Sequence, residues 1–225
     1  MTELPPAVSS TGPAGADPAF LDTTRAAYDA VAVDYEALLR DQLARGVVDR
    51  AVLGAFAESA SGPVLDVGCG PGRVTTHLAG LGLDVSGVDL SPGMVAVART
   101  RYPDLRFEVG SMTDLDHPDG GLGGVVAWYS VIHVPPHLHP GVFAGFHRVL
   151  RPGGHLLVAF QVGDERRDFT EGYGHEITLS AYRLRPERVA EQLVDAGFEP
   201  HSTLVRAPEP PNEKTPQAYL LVRKP

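Results

Sequence analysis

The sequence predicts an α/β domain in which helices enclose a mostly parallel, doubly wound sheet. Short apolar runs alternate with helical patterns along most of the chain, which is typical of strand–helix–strand units. Gly68, Gly70 and Gly72 follow the first apolar run at every second position, and the second run ends on Asp89. Because parallel strands end at the same edge of a sheet, these features predict a ligand site at that edge.

Periodicity and turn residues predict the individual elements. Apolar residues at helical spacing predict an N-terminal helix over 20–43 and a second over 47–60. Ser91 followed by Pro92 is typical of an N-cap and a first helical residue. The predicted strands cover 64–67, 84–89, 105–109, 125–131, 155–160, 175–183, 199–207 and 218–223, and further helices begin beside Gly72, after Ser91 and after Pro136, and cover 186–196. Residues 151–154 predict a turn, and the polar segment 161–173 interrupts the alternation.

Composition limits the class of protein. With 225 residues, 43% of them hydrophobic, the chain can bury the core of one domain. A net charge of −9 argues against a nucleic acid or an anionic membrane as partner, because phosphate groups attract basic surfaces. The single cysteine, Cys69, excludes an internal disulfide and suits a reducing compartment. Residues 1–19 are rich in Pro, Ser, Ala and Gly without a signal-peptide pattern, so we expect a disordered tail and a cytoplasmic protein.

The spacing of the glycines indicates which ligand the turn holds. A dinucleotide fingerprint reads G-x-G-x-x-G, whereas here the third glycine comes one position early and Arg73 stands at the dinucleotide position. Glycines keep side chains away from the turn, so its backbone N–H groups are expected to approach the ligand. Asp66, two residues before Gly68, suits a ligand with a cationic amine rather than a pyrophosphate.

At this point the sequence resembles the class I S-adenosylmethionine-dependent methyltransferases, whose first motif reads acidic-x-G-x-G-x-G. The resemblance runs from about Tyr28 to the C-terminus and is most specific between Val64 and Gly154. It implies a Rossmann-like, seven-stranded sheet, mostly parallel, with an antiparallel C-terminal hairpin at its edge. It also implies one domain over 20–225, divided into a helical cap (20–61), a cofactor-binding core (62–160), a substrate insert (161–185) and a closing helix and strands (186–225).

The resemblance implies S-adenosylmethionine as cofactor and S-adenosylhomocysteine as product. Asp66 matches the carboxylate that orients the ammonium group, and Asp89 the acid that binds the ribose. Met94 matches an apolar residue on the adenine, although core packing explains it equally well. The residues expected to bind the cofactor are Tyr28, Tyr35, Asp66, Gly68, Gly70, Gly72, Asp89, Leu90, Met94, Ser111, Met112 and Ala127. Ser111 stands where the family often has Asp, which leaves one hydroxyl for the adenine amino group.

Methyl transfer from a sulfonium needs an acceptor placed in line with the methyl group, and a base only where the acceptor must lose a proton. His133, after strand four, is the candidate base; its alternative role is to shape the loop.

We expect no metal, since neither Cys nor a carboxylate accompanies His137 and His139, which we expect to be solvated. Trp128 and Tyr129 are predicted on opposite faces of strand four. The residues expected to contact the acceptor are Tyr129, Tyr173, His175 and Arg183.

The expected function is methyl transfer to an N, O or C atom of a small metabolite or natural product, by a monomer or homodimer. The Asn/Asp-Pro-Pro-aromatic motif of amino-group nucleic-acid methylators is missing at strand four. Two alternatives remain at this stage. One is a non-catalytic partner protein with the same fold, which the intact glycine turn opposes, although Ser111 and Gly123 stand where the family often has Asp. The other is a nicotinamide-dependent oxidoreductase, which the glycine spacing opposes.

Overall fold

The computed structural model describes residues 18–210 and 213–225. Within these ranges the helices are α1 (Pro18–Leu39), α2 (Gln42–Arg45), α3 (Val47–Ser59), α4 (Arg73–Gly80), α5 (Pro92–Arg101), α6 (His139–Val149) and α7 (Pro186–Asp195). The strands are β1 (Val64–Val67), β2 (Val85–Asp89), β3 (Arg106–Val109), β4 (Leu122–Trp128), β5 (Leu150–Gln161), β6 (Arg166–Gly172), β7 (His175–Tyr182), β8 (Glu199–Arg206) and β9 (Gln217–Arg223). The tail predicted for 1–19 lies outside the described residues except at 18 and 19, which begin α1.

Seven strands form the main sheet of the described chain, in the order β3-β2-β1-β4-β5-β9-β8. The pairs from β3 through β5 are parallel, and β9 runs antiparallel to both β5 and β8. The predicted seven-stranded sheet with an antiparallel C-terminal edge is therefore confirmed. All seven residues of β4 are buried, as expected for a central parallel strand with helices on both faces.

Each face of the sheet packs against its own helices. Phe143 and Phe146 of α6 lie in one cluster with Leu156 and Val158 of β5. Phe56 of α3 packs on the opposite face, in a cluster that also contains Leu157 and Ala159 of β5 and Leu78 of α4. Alternate residues of β5 thus serve the two cores, which follows from the period of two along a strand. Burying each large apolar side chain contributes about 1.5–3 kcal/mol.

The structure corrects four local predictions. β4 ends at Trp128, not at residue 131, because Tyr129 takes a positive φ of 54° and the chain continues as a 3₁₀ turn over Val131–His133. The N-terminal helix ends at Leu39, and the short α2 follows it. β5 starts at Leu150 and includes the segment predicted as a turn. β6 was not predicted; it pairs with β7 in a separate two-stranded sheet.

No helix in the described part of the chain is long and apolar enough to cross a membrane.

Candidate active site

A cavity with about 730 Å³ of empty space, its open mouth included, lies at the carboxyl edge of β1, β2, β3 and β4. Helix α1 contributes a further wall above these strand ends. Eleven of the residues expected from the sequence line this cavity: Tyr28, Tyr35, Gly68, Gly70, Asp89, Leu90, Met94, Ser111, Met112, Tyr129 and His133. The fold therefore brings together residues from five separate parts of the chain.

The glycine turn is held by its own hydrogen bonds. The N–H groups of Gly68 and Cys69 both donate to the carbonyl of Val88, at 2.7 and 3.1 Å. The N–H of Gly70 donates to Asp89 Oδ2 at 2.7 Å. The end of β2 thus accepts these three N–H groups in the protein itself, and their approach to a ligand stays a prediction.

The three glycines of the turn are required for different structural reasons. All have positive φ, at 73°, 55° and 85° for Gly68, Gly70 and Gly72. A Cβ on Gly68 would lie 2.3 Å from that of Ser130, and one on Gly72 would lie 2.8 Å from the Phe107 ring. A Cβ on Gly70 would meet nothing within 4 Å. Gly72 is absent from the cavity wall and its role here is packing, whereas the space beside Gly70 is open to a ligand.

Asp89 presents its carboxylate to the cavity from the end of β2. Its Oδ2 accepts from Gly70 and its Oδ1 accepts from the N–H of Ser91 at 2.9 Å. Burial raises the pKa of Asp89, and these two N–H bonds oppose the rise. Each oxygen accepts only one bond, so a lone pair on each remains for a ligand hydroxyl.

Asp66 lies behind the wall, with 1% of its surface exposed. Thr75 Oγ1 donates to its Oδ2 at 2.7 Å, and its Oδ1 is buried without a hydrogen-bond partner. Burial raises the pKa of Asp66 to about 7, although the Thr75 bond opposes the rise. An unpaired buried carboxylate oxygen is costly, and a cationic group at this point would relieve that cost.

Met94 and Ser111, which the sequence predicts beside the adenine, both lie on the cavity wall. Met94 is 1% exposed and packs with Val31 and Ala32 of α1, so core packing accounts for part of its burial. Ser91 caps α5 as predicted, since its Oγ accepts from the N–H of Met94 at 3.0 Å. The hydroxyl of Ser111 bonds Thr113 Oγ1 at 2.7 Å within its own turn.

Helix α1 closes over the cavity through contacts with three separate elements. Asp29 Oδ1 accepts from Ser91 Oγ at 2.6 Å and from the N–H of Gly93 at 2.8 Å, which fixes α1 to the start of α5. The hydroxyl of Tyr28 lies 2.7 Å from His133 Nε2. The ring of Tyr35 packs against Tyr173 of the β6–β7 connection at 4.9 Å between centroids. Helix α1 and the β6–β7 hairpin thus form one cover above the strand ends.

The hydrogen bonds of His133 determine its tautomer. Its Nδ1 lies 3.0 Å from the carbonyl oxygen of Ser180 on β7, and a carbonyl can only accept, so Nδ1 carries the proton. Nε2 therefore has a free lone pair, which accepts the O–H of Tyr28. Burial lowers the pKa of His133, which keeps the ring neutral near pH 7. A neutral imidazole with an accepting Nε2 at the cavity wall has the properties of a general base.

Tyr129 and Trp128 are neighbours at the end of β4, but the prediction that they lie on opposite faces of this strand is wrong. Because β4 ends at Trp128, Tyr129 does not lie on the opposite face of the strand, and the two rings pack edge to face at 5.7 Å. The hydroxyl of Tyr219 donates to Asp49 Oδ1 at 2.5 Å, so in its 3.3 Å bond with Tyr129 it is the Tyr129 hydroxyl that donates. Both Trp128 and Tyr129 line the cavity.

The remaining expected residues lie away from the cavity wall. The ring of Tyr173 packs at a tilt against that of Tyr35, and His175 Nε2 lies 2.7 Å from Asp34 Oδ2 at the surface. Arg183 pairs with Glu165. Ala127 is fully buried within β4. Tyr173, His175, Arg183 and Ala127 therefore have structural surroundings of their own, and none of them lines the cavity.

The prediction that His139 is solvated is wrong. Its side chain is 1% exposed, and Nε2 lies 3.2 and 3.0 Å from the carbonyls of Val131 and Val134. His139 therefore fixes the loop that carries His133. His137 is exposed. Among the described residues, no group of three or more His, Cys, Asp or Glu side chains is placed to hold a metal ion.

Sequence reasoning missed several residues of the cavity wall. Those on α1 are Phe20, Leu21, Thr24 and Arg25, and those near β4 include Ser130 and Val134. Residues 21, 24, 25 and 28 recur at helical spacing, so Tyr28 together with this periodicity was a signal for one helix face. Asp29 gave no such signal, because its partners lie more than 60 positions away.

Comparisons with known proteins agree with this architecture. Residues 64–154 match the family model described as a methyltransferase domain. A demethylmenaquinone methyltransferase of Beutenbergia cavernae is 37% identical over 135 residues, which cover 59% of this chain and 55% of that protein. An uncharacterized methyltransferase of Mycobacterium bovis is 34% identical over 161 residues, which cover 70% of this chain and 61% of that protein. The chain thus spans less than two thirds of these relatives' lengths.

Solved structures share the fold. A complex of DhpI with SAH superposes with a TM-score of 0.73 at 22% identity, over 91% of this chain and 97% of that chain. The 1,6-didemethyltoxoflavin-N1-methyltransferase of Burkholderia thailandensis superposes with a TM-score of 0.67 at 21% identity, over 96% and 93% of the two chains. Residues 64–154 thus match a methyltransferase-domain model and lie on a Rossmann-like sheet. The family that the chain is similar to, by this match and by its relatives, is that of the class I S-adenosylmethionine-dependent methyltransferases.

Proposed function

We propose that the protein transfers the methyl group of S-adenosylmethionine to a small-molecule acceptor. One observation carries the proposal above all others. The same cavity has Gly70 and Asp89 in one part of its wall and, in another, a neutral, half-buried His133 whose Nε2 accepts from Tyr28. A wall suited to a nucleoside and a proton acceptor thus face one cavity.

The residues present fit the cofactor. The buried Oδ1 of Asp66 has no partner and would accept from the ammonium group. The open space beside Gly70 leaves room for the chain of the methionine moiety. The free lone pairs of Asp89 would accept from the two ribose hydroxyls, and Met94 offers an apolar contact for the adenine. When bound, S-adenosylmethionine supplies a methyl group on a cationic sulfonium.

The protein's own residues provide a route for the proton that a hydroxyl acceptor must lose. Tyr28 stands next to His133 at the wall, and its O–H already donates to Nε2. When a hydroxyl acceptor is methylated, its proton would pass to the Tyr28 oxygen while the Tyr28 proton passes to His133 Nε2. Ser180 holds the resulting imidazolium through Nδ1–H, so the positive charge forms next to a carbonyl dipole.

The cover formed by α1 and the β6–β7 hairpin favours a small acceptor. The cavity wall has apolar and aromatic side chains on both sides, Phe20 and Leu21 from α1 and Tyr129 and Val134 from the segment after β4. Such a lining suits a flat, ring-containing molecule and excludes water from the sulfonium. Two similar proteins carry names with ring-shaped acceptors, a demethylmenaquinone methyltransferase and a didemethyltoxoflavin methyltransferase. We infer a metabolite or natural product of this kind as the acceptor.

Titration calorimetry with S-adenosylhomocysteine, and with NAD as control, tests the proposal. Micromolar binding of S-adenosylhomocysteine alone is the expected result, and a screen of ring-containing acceptors with a labelled methyl donor follows it. Binding of NAD alone would point to an oxidoreductase. Binding of neither ligand would point to a non-catalytic partner protein, and either of these results would overturn the proposal.

A further inference from the structure

Tyr219 of β9 is a buried tyrosine whose hydroxyl is held by charged side chains of two other elements. The side chain is 2% exposed. Its O–H donates to Asp49 Oδ1 of α3 at 2.5 Å, and its oxygen accepts from Arg206 Nε at the end of β8 at 2.9 Å. Glu213 in turn holds Arg206 through both Nη atoms, at 2.5 and 2.6 Å. Because a carboxylate can only accept and a guanidinium can only donate, these partners fix the orientation of the Tyr219 hydroxyl.

The remaining lone pair of the Tyr219 oxygen accepts from the hydroxyl of Tyr129, which lines the cavity, at 3.3 Å. Burial raises the pKa of Tyr129, and it raises that of Tyr219 to about 12, so both hydroxyls keep their protons near pH 7. The proton of Tyr129 is therefore bound to Tyr219. A ligand in the cavity can meet the ring of Tyr129 or a lone pair of its oxygen, but not its O–H.

The backbone of Tyr129 is held as well. Its φ of 54° is in the left-handed region, which is costly for a residue with a large side chain. Strain of this kind persists only where the surrounding contacts impose it. The N–H of Tyr129 donates to the carbonyl of Ala159 at 2.9 Å, and Ala159 lies directly opposite Tyr219 in the register of β5 and β9. Tyr129 is thus fixed at both ends, by its backbone N–H and by its hydroxyl.

The ring of Trp128 packs between these two tyrosines. Its centroid lies 5.7 Å from that of Tyr129 and 5.4 Å from that of Tyr219. Trp128 and Tyr129 both line the cavity, whereas Tyr219 does not. Tyr219 therefore supports two aromatic side chains of the wall from behind, through a ring contact and a hydrogen bond.

We propose that Tyr219 is a positioning residue for the acceptor part of the cavity, because it holds the Tyr129 side chain in the one orientation that receives a ring-containing acceptor. This inference rests on the proposed function, in which Tyr129 belongs to the wall that meets the acceptor. Without the Tyr219 hydroxyl, the O–H of Tyr129 loses its partner. The ring is then free to turn into the space that the acceptor needs.

A double-mutant cycle tests this role. Tyr129→Phe and Tyr219→Phe each remove one hydroxyl of the bond and keep the ring. With a hydroxyl acceptor from the screen, each should raise KM for the acceptor about 3- to 10-fold, the range for one hydrogen bond. The double variant should raise KM no further, because both substitutions break the same bond. The affinity for S-adenosylhomocysteine should stay within about twofold in all three variants.

Trp128 provides a second measurement that needs no acceptor, since it is the single tryptophan of the chain. In the protein saturated with S-adenosylhomocysteine, acrylamide should quench the fluorescence of Trp128 more strongly in Tyr219→Phe than in the unmodified protein. Tyr129→Phe and the double variant should show the same increase, because the wall loses the same bond in each.

Two control variants separate positioning from a general loss of stability. Tyr102→Phe removes the hydroxyl of a partly buried tyrosine outside the cavity wall and should change neither KM nor quenching. Leu221→Ala removes a buried side chain of β9 from the same cluster as Tyr219. It should lower Tm and leave KM for the acceptor unchanged, because the bond between the two tyrosines remains.

Several results would overturn the inference while leaving the proposed function intact. They are additive effects of the two tyrosine substitutions on KM, unchanged KM and quenching in Tyr219→Phe, or an equal rise of KM in Leu221→Ala. If Tyr219→Phe fails to fold, Tyr129→Phe decides, because unchanged KM and quenching in this variant would also overturn the inference. If the unmodified protein does not bind S-adenosylhomocysteine, the proposed function itself fails.

Discussion

Tyr28 and His133, 105 positions apart in the chain, form a hydrogen bond of 2.7 Å at the wall of the cavity. The bond joins helix α1 to the loop after β4, and Ser180 of the hairpin holds the other nitrogen of the same ring. One imidazole thus connects the cover to the strand ends. Substituting Tyr28 or His133 should therefore change the turnover rate, and it also removes a bond that holds α1 to the loop after β4.

We expect His133→Ala to leave S-adenosylhomocysteine affinity within about threefold while lowering kcat by about 10²- to 10⁴-fold, the usual contribution of a general base. Tyr28→Phe keeps the ring and removes the proton carrier, so its kcat should fall by a similar factor. Both are measured with a hydroxyl acceptor from the screen. His137→Ala, at an exposed neighbouring position, is the control. Full activity of His133→Ala would exclude it as the base.

We expect Asp89→Ala to weaken S-adenosylhomocysteine at least 100-fold, because the ribose hydroxyls lose a charged acceptor. The N–H groups of Gly70 and Ser91 lose their partner as well, so the free energy of unfolding should fall by about 1–3 kcal/mol. Asp84→Ala removes an exposed carboxylate just before the same strand and should change neither quantity by much. Calorimetry and urea denaturation measure the two effects. Unchanged affinity would remove Asp89 from the ligand site.

The pKa of Asp66 predicts a pH dependence of binding. The pKa is raised to about 7, so at pH 6 most of the ligand-free protein carries a proton on this carboxyl. An ammonium group favours the carboxylate, so binding should release up to about one proton at pH 6. Affinity should then rise between pH 6 and pH 8, which calorimetry in two buffers of different ionisation enthalpy detects. Asp66→Asn should bind S-adenosylhomocysteine more weakly and release no proton. Proton release by this variant would show that another group loses the proton on binding.

Alanine substitutions at Gly68 and Gly70 should differ in their effects, the first mainly on stability and the second mainly on ligand affinity. In Gly68→Ala the new methyl group meets Ser130 at a positive φ, so we expect a loss of about 2–5 kcal/mol in the free energy of unfolding. Gly70→Ala meets no atom and should lose only about 1–2 kcal/mol. Its methyl group occupies the space assigned to the ligand, so S-adenosylhomocysteine affinity should fall at least tenfold. Normal binding by Gly70→Ala would place the ligand elsewhere.

His139 predicts a loss of stability in acid. Burial lowers its pKa, so below about pH 6.5 the unfolded chain takes up a proton that the native state does not. The unfolded state then binds more protons, and this contribution to stability, complete above pH 6.5, is lost as the pH falls. Denaturation curves at pH 7.5 and 5.5 measure it. His139→Gln should reduce the difference in the free energy of unfolding between pH 7.5 and pH 5.5. An unchanged difference would show that other groups cause the loss of stability in acid.

The sheet and its ligand edge could be predicted from short segments of sequence. The strand before Gly68, the early third glycine, Asp89 at the end of β2 and the Ser91 cap each depend on residues within a few positions of one another. Local backbone preferences and hydrophobic periodicity act over this range, so they can be recognised in the sequence. Residues 64–154 are accordingly both the most specific part of the sequence and the part that matches the family model.

Contacts between distant residues decided the rest. Nothing near His175 indicates that it pairs with Asp34, 141 positions earlier, and nothing near His133 indicates that Ser180 holds its ring. The burial of His139, the positive φ of Tyr129 and the β6–β7 hairpin over α1 likewise follow from packing. A side chain's partner depends on which elements the fold brings beside it, and local propensity carries no information about that. The sequence by itself therefore determined the sheet and the edge at which a ligand is predicted, because both depend on local patterns. The tertiary structure decided the cover, the tautomer of His133 and the partners of the buried charged groups, because these depend on contacts between distant elements.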